Sequence, residues 1–535
     1  MKINKRLAIL LLVILVFFHS INNLIVLKSN KLPMFGNDAN LAIESLRLYS
    51  SLKKGDLISV FFYRTIYPTL ICILPSFFYL FFGTAQNIPP LINIPFMGIL
   101  IFSIYGIGKK IHSKKAGLLA AFIVMTFPHI FGLSRIYYYD FPLMCCLTLT
   151  IYFLLKTDNF LSLKYSVLLG LSMALSAAFK SAFSIYLIGP FSVYLFCSIM
   201  NKEKIHDKIR NVLISLFVFF LFTSYFYVFN IGALLEHDFH AINLWYEPSN
   251  DMTRLHYLIP NLKYYLTSLV GYQILHFYFF IFLFSFIFSI VSPKKNKLLI
   301  LSWILIPLLF FSFYVPMNLD LRFILPILPA IAILISLFIL GFRSKQIKKF
   351  LTLSVLLIGT IQFFFVSYLP NYHYIVGSVN REFHLDPANI FMHDIHGPMP
   401  VRIWHYGLFY PIKYDWGLYE IVKIVNQSLN QKKPLNMLTF VNNFESPLNY
   451  LFKLNNIDIN SYTSTPNQKF LLSDFDYLIL SNIYSNEEAP LRNFFAVPYY
   501  DLSLYNLKNY DLIGNIFYPE NITVFIYKKN SSQNI

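Results

Sequence analysis

The chain has 535 residues, of which 56% are hydrophobic and 19% aromatic, while only 13% carry a charge. A soluble domain carries roughly 25% charged residues, so this composition cannot build a water-solvated surface, and it excludes disorder, coiled coil and collagen with it. The class that remains is a polytopic α-helical membrane protein. The net charge of +17 comes from 43 Lys and Arg against 26 Asp and Glu. It is not a nucleic-acid footprint, because the basic residues gather in short loops between apolar runs, as topology signals do.

Taken in chain order, apolar runs near 7–27, 89–108, 116–134, 141–156, 165–180, 182–200, 211–230, 272–292, 298–315, 323–341 and 350–369 predict eleven membrane-crossing helices. The first run follows Lys2, Lys5 and Arg6. It is too long for a signal-peptide core and has no small-residue cleavage site, so it reads as an uncleaved span. Lys and Arg then set the orientation. The basic clusters at 109–115, 156–164, 202–210, 294–297 and 343–349 all fall on the side of the N-terminus, which is predicted to be cytoplasmic in a plasma or inner membrane. This count requires that the run 68–82, with Pro68 and Pro75 inside it, does not cross. At 1.5 Å per residue it is shorter than the hydrocarbon core, and it is predicted to be a partly embedded helix in an outer loop, 28–88. Cys72, Cys145, Cys146 and Cys197 lie in apolar runs without metal-ligand spacing and read as small hydrophobes.

The domain reading is a transmembrane unit over 1–370 followed by an outward-facing α/β domain over 371–535. The tail is polar and rich in Asn, Tyr and Asp, and holds no run long enough to span. Helical patterns at 416–430 and 446–456 alternate with strand patterns at 436–441, 476–480 and 522–528.

Ionisable residues at the mouths of spans are costly to bury and are functional candidates. On the predicted outer side these are Asp38 in the first loop, Arg135 and Asp140 in the stretch SRIYYYD, Lys180 in AFKSAF, His237, Asp238 and His240 between spans, and Asp320 and Arg322 ahead of a late span. A carboxylate can act as general base on an acceptor hydroxyl or amine, and Lys or Arg can hold a leaving phosphate. Together they suit a substrate linked to a lipid phosphate. Each also has a plain reading. Asp38 and Asp140 can cap the helices that follow them, Lys180 can snorkel to the interface, and Arg322 can anchor there. His237 and His240, with Asp238 between them, form a weak metal candidate against the simpler reading of a solvated loop. Glu44 and Arg47 read as a surface pair, and the span-end tyrosines as interface-belt aromatics.

These segments resemble the GT-C glycosyltransferases of the protein O-mannosyltransferase and lipid A aminoarabinose transferase type. Tyr67-Pro68-Thr69-Leu70 with Phe81-Phe82-Gly83 is similar to the family's Y-P-P-L helix ending in F-G. Gly106-Ile107-Gly108-Lys109-Lys110 with Lys115-Ala116-Gly117-Leu118-Leu119 resembles its G-R-R…R-A-G-L-L turn. Ser134-Arg135 with Asp140-Phe141-Pro142-Leu143 resembles S-R…D-x-P-L, Ala178-Phe179-Lys180-Ser181 stands where the family has L-T-K-G, and 322–329 resembles R-Y-L-L-P-x-x-P. Asp38 is followed by Ala39 where the family often reads Asp-Glu.

The resemblance implies a transferase that moves a hexosyl or pentosyl group from a polyprenyl-phosphate donor to a protein, lipid or glycan acceptor at the outer membrane face, with inversion. It makes Asp38 and Asp140 the catalytic carboxylates. Lys180 and Arg322 match basic positions of the family, and their charge, with that of Arg135, makes them the expected donor-phosphate residues. No cofactor is called for with certainty, a divalent metal being the one left open, and no nucleotide-binding motif is visible. The competing readings are a lipid-linked polysaccharide polymerase or ligase, a transporter or lipid flippase, and a catalytically inactive scaffold.

Overall fold

The computed structural model describes residues 4–31, 33–34, 36–63, 68–245, 254–291, 295–314, 320–368, 417–429, 434–441, 444–463, 474–481, 507–518 and 522–530. Every predicted crossing falls on a helix. The chain begins with α1 (Lys5–Ser29), whose first turn is closed by the Asn4 side chain accepting from the Leu7 N–H at 2.7 Å. Three further helices follow: α2 (Gly36–Lys53), α3 (Leu57–Phe61) and α4 (Leu70–Phe82). At 13 residues α4 is about 20 Å long, too short for the hydrocarbon core.

After a 3-10 turn at Pro89–Ile92 come α5 (Asn93–Ile111), α6 (Lys114–Thr126), α7 (Pro128–Leu133), α8 (Asp140–Lys156), α9 (Leu163–Ala177) and α10 (Phe183–Met200). Then follow α11 (Ile205–Trp245), α12 (Arg254–Ser268), α13 (Leu275–Val291), α14 (Lys295–Tyr314), a 3-10 stretch Leu321–Ile327 leading into α15 (Leu328–Gly341), and α16 (Lys345–Tyr368).

Seven of these segments are by themselves long and apolar enough to cross a bilayer. Their outer surfaces carry large exposed apolar side chains, among them Leu10, Phe17, Phe217 and Leu357. So much exposed apolar surface needs lipid to cover it, and the chain is a multi-pass membrane protein.

The run predicted at 116–134 is broken at Phe127 into α6 and α7, because Pro128 has no N–H to continue the ladder. One expectation is corrected. The segment after 230 is not a loop at first, since α11 runs on without a break to Trp245. The apolar pattern ends near residue 230, but the helical backbone does not.

Two glycines of the G-x-G-K-K…K-A-G turn are explained by close packing of α5 on α6. A Cβ on Gly108 would lie 2.7 Å from the Gly117 Cα, and one on Gly117 would lie 2.3 Å from the Tyr105 carbonyl oxygen.

The C-terminal region contains α17 (Leu418–Gln427), β1 (Leu435–Thr439), α18 (Glu445–Leu454), β2 (Ile459–Thr463), β3 (Tyr477–Ser481), β4 (Tyr510–Tyr518) and β5 (Ile522–Lys529). The five strands form one sheet in the order β2-β1-β3-β5-β4. β1 pairs parallel with β2 and β3, and β5 pairs antiparallel with β3 and β4. Strands β2 and β4 add to the three expected from the sequence. Both are edge strands, and edge strands lack the apolar signal of central ones.

The sheet region docks on the membrane unit through α18, which lies against α2. The Gly36 N–H donates to Ser446 Oγ at 2.8 Å, and Tyr79 of α4 and Tyr450 of α18 are both buried.

Candidate active site

The site is built around the loop 134–139 between α7 and α8. Three consecutive tyrosines in this loop point to three different partners. Tyr137 holds the frame: its hydroxyl donates to the Ile71 carbonyl on α4 at 2.8 Å and pairs with Ser45 Oγ on α2 at 2.8 Å. Asn93 fixes the loop from below by donating to the Ile136 carbonyl at 2.6 Å. The Tyr138 hydroxyl donates to that of Tyr139 at 2.8 Å and accepts from Asn37 Nδ2 at 3.2 Å, which ties the loop to the first turn of α2.

Four of the predicted residues meet on this frame. Asp140 opens α8, where the positive end of the helix dipole favours a carboxylate. It is 1% exposed, and its Oδ1 receives Lys180 Nζ at 2.9 Å. The Lys180 ammonium also stands over the Tyr139 ring at 4.7 Å and the Phe323 ring at 5.4 Å.

Arg322 is bound by Asp320, whose side chain accepts from the Arg322 backbone N–H at 2.9 Å and from its Nε at 2.8 Å, with a further bond from an η nitrogen. The Arg322 guanidinium lies over the Tyr138 ring at 4.3 Å. Burial alone would raise the Asp320 pKa, but the Arg322 charge and hydrogen bonds outweigh it and hold the carboxyl below its ordinary range.

Asp38 sits in the first turn of α2 and is buried. Among the described residues its Oδ1 has no hydrogen-bond partner. Burial drives its pKa well above the ordinary carboxyl value, against the pull of Arg322 and with a push from Asp140. Asp38 therefore feels the charges of both Arg322 and Asp140.

The remaining candidates lie elsewhere. Arg135 is buried toward α1 and α16. Its Nε donates to Asn23 Oδ1 at 3.2 Å, an η nitrogen donates to Ser367 Oγ at 2.9 Å, and its guanidinium faces the Phe131 and Phe363 rings at 5.0 and 5.8 Å. These contacts tie three helices together, and the structure does not bring Arg135 to the Asp140–Lys180 pair. His237, Asp238 and His240 fall on the helical continuation of α11, and their side chains lie outside the described residues.

Among the described residues no group of three or more His, Cys, Asp or Glu is placed to hold a metal. The carboxylates at the site do not fit one either. Asp140 and Asp320 each already face a cation, and Asp38 favours its neutral form.

Asn37, Tyr138 and Tyr139 join the cluster beyond the candidates read from the sequence, and Asp320, a candidate there without an assigned role, joins it as the partner of Arg322. The signal for the tyrosines was the run of three beside Asp140, which reads equally as interface-belt aromatics. Asp320 was visible as a charge, and its role as partner to Arg322 is set by a spacing of two residues.

The family model for dolichyl-phosphate-mannose-protein mannosyltransferase matches residues 68–227, which include Asp140 and Lys180. No curated protein matches the chain by sequence. Among solved structures, ArnT from Cupriavidus metallidurans bound to undecaprenyl phosphate aligns with 13% identity and a TM-score of 0.58, over 97% of each chain. The oligosaccharyltransferase AglB from Archaeoglobus fulgidus, in complex with an inhibitory peptide and a dolichol-phosphate, aligns with 12% identity and a TM-score of 0.53, over 99% of this chain and 74% of that one. The chain shares the fold of these two structures, and its own described residues form a polytopic helical unit followed by a sheet-containing C-terminal region.

Proposed function

We propose that this protein transfers a sugar from a polyprenyl-phosphate donor to an acceptor nucleophile at the outer membrane face, with inversion. The N-terminus is then cytoplasmic and the C-terminal domain extracytoplasmic. The observation that carries the reading is the meeting of Asp38, whose buried Oδ1 has no hydrogen-bond partner among the described residues, with two cations, Lys180 and Arg322, at one cluster of helix ends in this fold. The match of 68–227 to a family named for a lipid-phosphate sugar donor supports it, as does the likeness to a structure that holds undecaprenyl phosphate.

In this mechanism Asp38, in its ionised form, accepts the proton of the acceptor O–H or N–H as that atom attacks the anomeric carbon. The bond from the anomeric carbon to the phosphate oxygen breaks on the opposite side, and its electron pair leaves with the lipid phosphate. Lys180 and Arg322 stabilise the charge that develops there. Asp140 and Asp320 hold the two cations in place and balance them before the donor arrives. Arg135 has a structural role, joining α1, α7 and α16. A divalent metal is not part of this reading: Asp140 and Asp320 each already face a cation.

The test uses the purified full-length protein in lipid nanodiscs with polyprenyl-phosphate sugars of several kinds. Asp38→Asn is expected to keep polyprenyl-phosphate binding and to lose transfer by about 10²–10⁴-fold, the range for general-base catalysis. Unchanged transfer by this variant would overturn the assignment of Asp38. Failure of the wild-type protein to release polyprenyl phosphate from any donor would overturn the function.

A further inference from the structure

Three consecutive residues at the start of α2 go to three different parts of the molecule. The Gly36 N–H donates to Ser446 Oγ on α18 of the C-terminal region at 2.8 Å. Asn37 Nδ2 donates to the Tyr138 hydroxyl in the loop 134–139 at 3.2 Å. Asp38 is buried at the site.

This turn depends on outside support. The first four N–H groups of a helix have no partner within it, and Ser446 supplies an acceptor to one of them, as a capping side chain does. Gly36 has a φ of 52°, a conformation that glycine takes without strain, and that freedom leaves the entry to the helix soft. Among the described residues, hydrogen bonds from outside α2 reach this turn only from Ser446 and Tyr138. The next such bonds, from the Tyr63 hydroxyl to Glu44 and between Ser45 and Tyr137, lie roughly 10 Å from Asp38 along the axis, at 1.5 Å per residue.

The cations of the site are held by other contacts. Lys180 is fixed by Asp140 and the Tyr139 ring, and Arg322 by Asp320 and the Tyr138 ring. All of these partners belong to the membrane unit, and none belongs to α18. The two sets of contacts share one residue, Tyr138, whose ring lies under Arg322 and whose hydroxyl is held by Asn37.

Taking the role of Asp38 from the transferase reading, we propose that Ser446 is a positioning residue for Asp38, through which the docked C-terminal region sets the first turn of α2, and that Asn37 couples the same turn to the Tyr138 platform. Loss of the Ser446 hydroxyl frees the turn, and Asp38 with it, without touching Lys180 or Arg322. Loss of the Asn37 carboxamide frees the turn and also releases the Tyr138 hydroxyl, so that the ring under Arg322 is held less firmly.

The test uses the full-length protein in nanodiscs and the variants Ser446→Ala, Ser446→Thr and Asn37→Ala. Transfer kinetics, binding of radiolabelled undecaprenyl phosphate, and amide hydrogen exchange over residues 36–41 are measured for each. Ser446→Ala should lower kcat about tenfold to a hundredfold, the cost of a reacting group displaced by about 1 Å. It should also speed exchange in the first turn and leave undecaprenyl-phosphate binding unchanged, which shows that the variant folds. Ser446→Thr keeps the hydroxyl and should return kcat and exchange to near wild type. Asn37→Ala should lower kcat and in addition weaken undecaprenyl-phosphate binding about threefold to tenfold, the worth of one hydrogen bond. Wild-type kcat or unchanged exchange in Ser446→Ala, an equal defect in Ser446→Thr, or a loss of undecaprenyl-phosphate binding in parallel with kcat would overturn the role of Ser446. Unchanged undecaprenyl-phosphate binding by Asn37→Ala would overturn the coupling to Tyr138. If the wild type transfers no sugar while Ser446→Ala still speeds exchange and Ser446→Thr does not, the transferase reading fails and the link from the C-terminal region to α2 stands.

Discussion

Asp140 and Lys180 form the most deeply buried ion pair of the site, with side-chain exposures of 2% and 19%. At 2.9 Å, two unit charges in an effective dielectric of 20 attract by about 6 kcal/mol. Most of that is consumed by desolvating both groups, so the pair itself is worth far less than this. Removing one partner is different, because it strands the other. Lys180→Met leaves an ionised carboxylate inside the protein and should cost about 3–5 kcal/mol, together with the cation–π contact to Tyr139. Asp140→Asn strands an ammonium that retains more access to water, so its cost should be smaller. In the double variant Lys180→Met with Asp140→Asn neither charge is left, and the loss should be at least about 2 kcal/mol below the sum of the singles, within the range of coupled neighbours. Equilibrium unfolding of the four proteins in mixed micelles measures this. A coupling below about 0.5 kcal/mol would show that the two groups do not support each other, and the reading of Asp140 as the partner that fixes Lys180 would fall.

The pH dependence of transfer should follow Asp38. Its pKa is raised by burial, so the ionised base is the minor form at low pH, and kcat/KM should climb as pH rises toward that pKa. A falling profile would make Asp38 a proton donor instead. The same shift has a stability consequence. A carboxyl that holds its proton more tightly when folded favours the fold below the unfolded carboxyl pKa of about 4, and this contribution is lost as pH rises through the folded value. Asp38→Asn should therefore melt higher than wild type, with the gap widening as pH is raised over that window in a thermal-shift series, although the variant is inactive. Arg322→Lys keeps the charge but loses the forked contact to Asp320 and the planar stacking on Tyr138. It should lower kcat about tenfold to a hundredfold in a donor-release assay. Gly117→Ala would drive a Cβ into the Tyr105 carbonyl and should destabilise the protein by about 1–3 kcal/mol, measured in the same micelles, without changing KM for donor in the fraction that folds.

The sequence was informative where the physics is local. Apolar length gives the helices, and the run at 68–82 gives a 13-residue helix that passes through Pro75 and ends at Gly83. What was hidden depends on contacts between distant segments. Arg135 and Asp140 stand five residues apart in one motif, yet Arg135 turns toward Asn23 and Ser367 while Asp140 turns toward Lys180. No spacing rule separates them, because the divergence is set by which helix packs on each side of the loop. Tyr138 and Tyr139 have the composition of membrane-interface residues, and their service as platforms for Arg322 and Lys180 appears only when α8 and the 321–327 stretch are brought together. The tail shows the same limit. The central strand β3 is fully buried and reads clearly, while β2, at an edge, carries a mixed polar sequence that is a strand only because β1 lies beside it.

The cluster also explains how a chain with so few charges keeps five at one place. With Asp38 protonated, Asp140 and Asp320 balance Lys180 and Arg322, and the set is neutral. Isolated burial of any one of these four ions would be prohibitive, so the pairs form a single unit that must be assembled together. On the proposed reading this neutrality has a kinetic use. Lys180 and Arg322 unopposed would bind the departing lipid phosphate too tightly to let it go. Their partners weaken that grip while leaving the cations aimed at the charge that develops during transfer. The arrangement thus favours the transition state over the product, which is what raises turnover rather than binding alone. Asp140→Asn should for this reason hold polyprenyl phosphate more tightly than wild type while turning over more slowly, and weaker product binding by that variant would refute the argument.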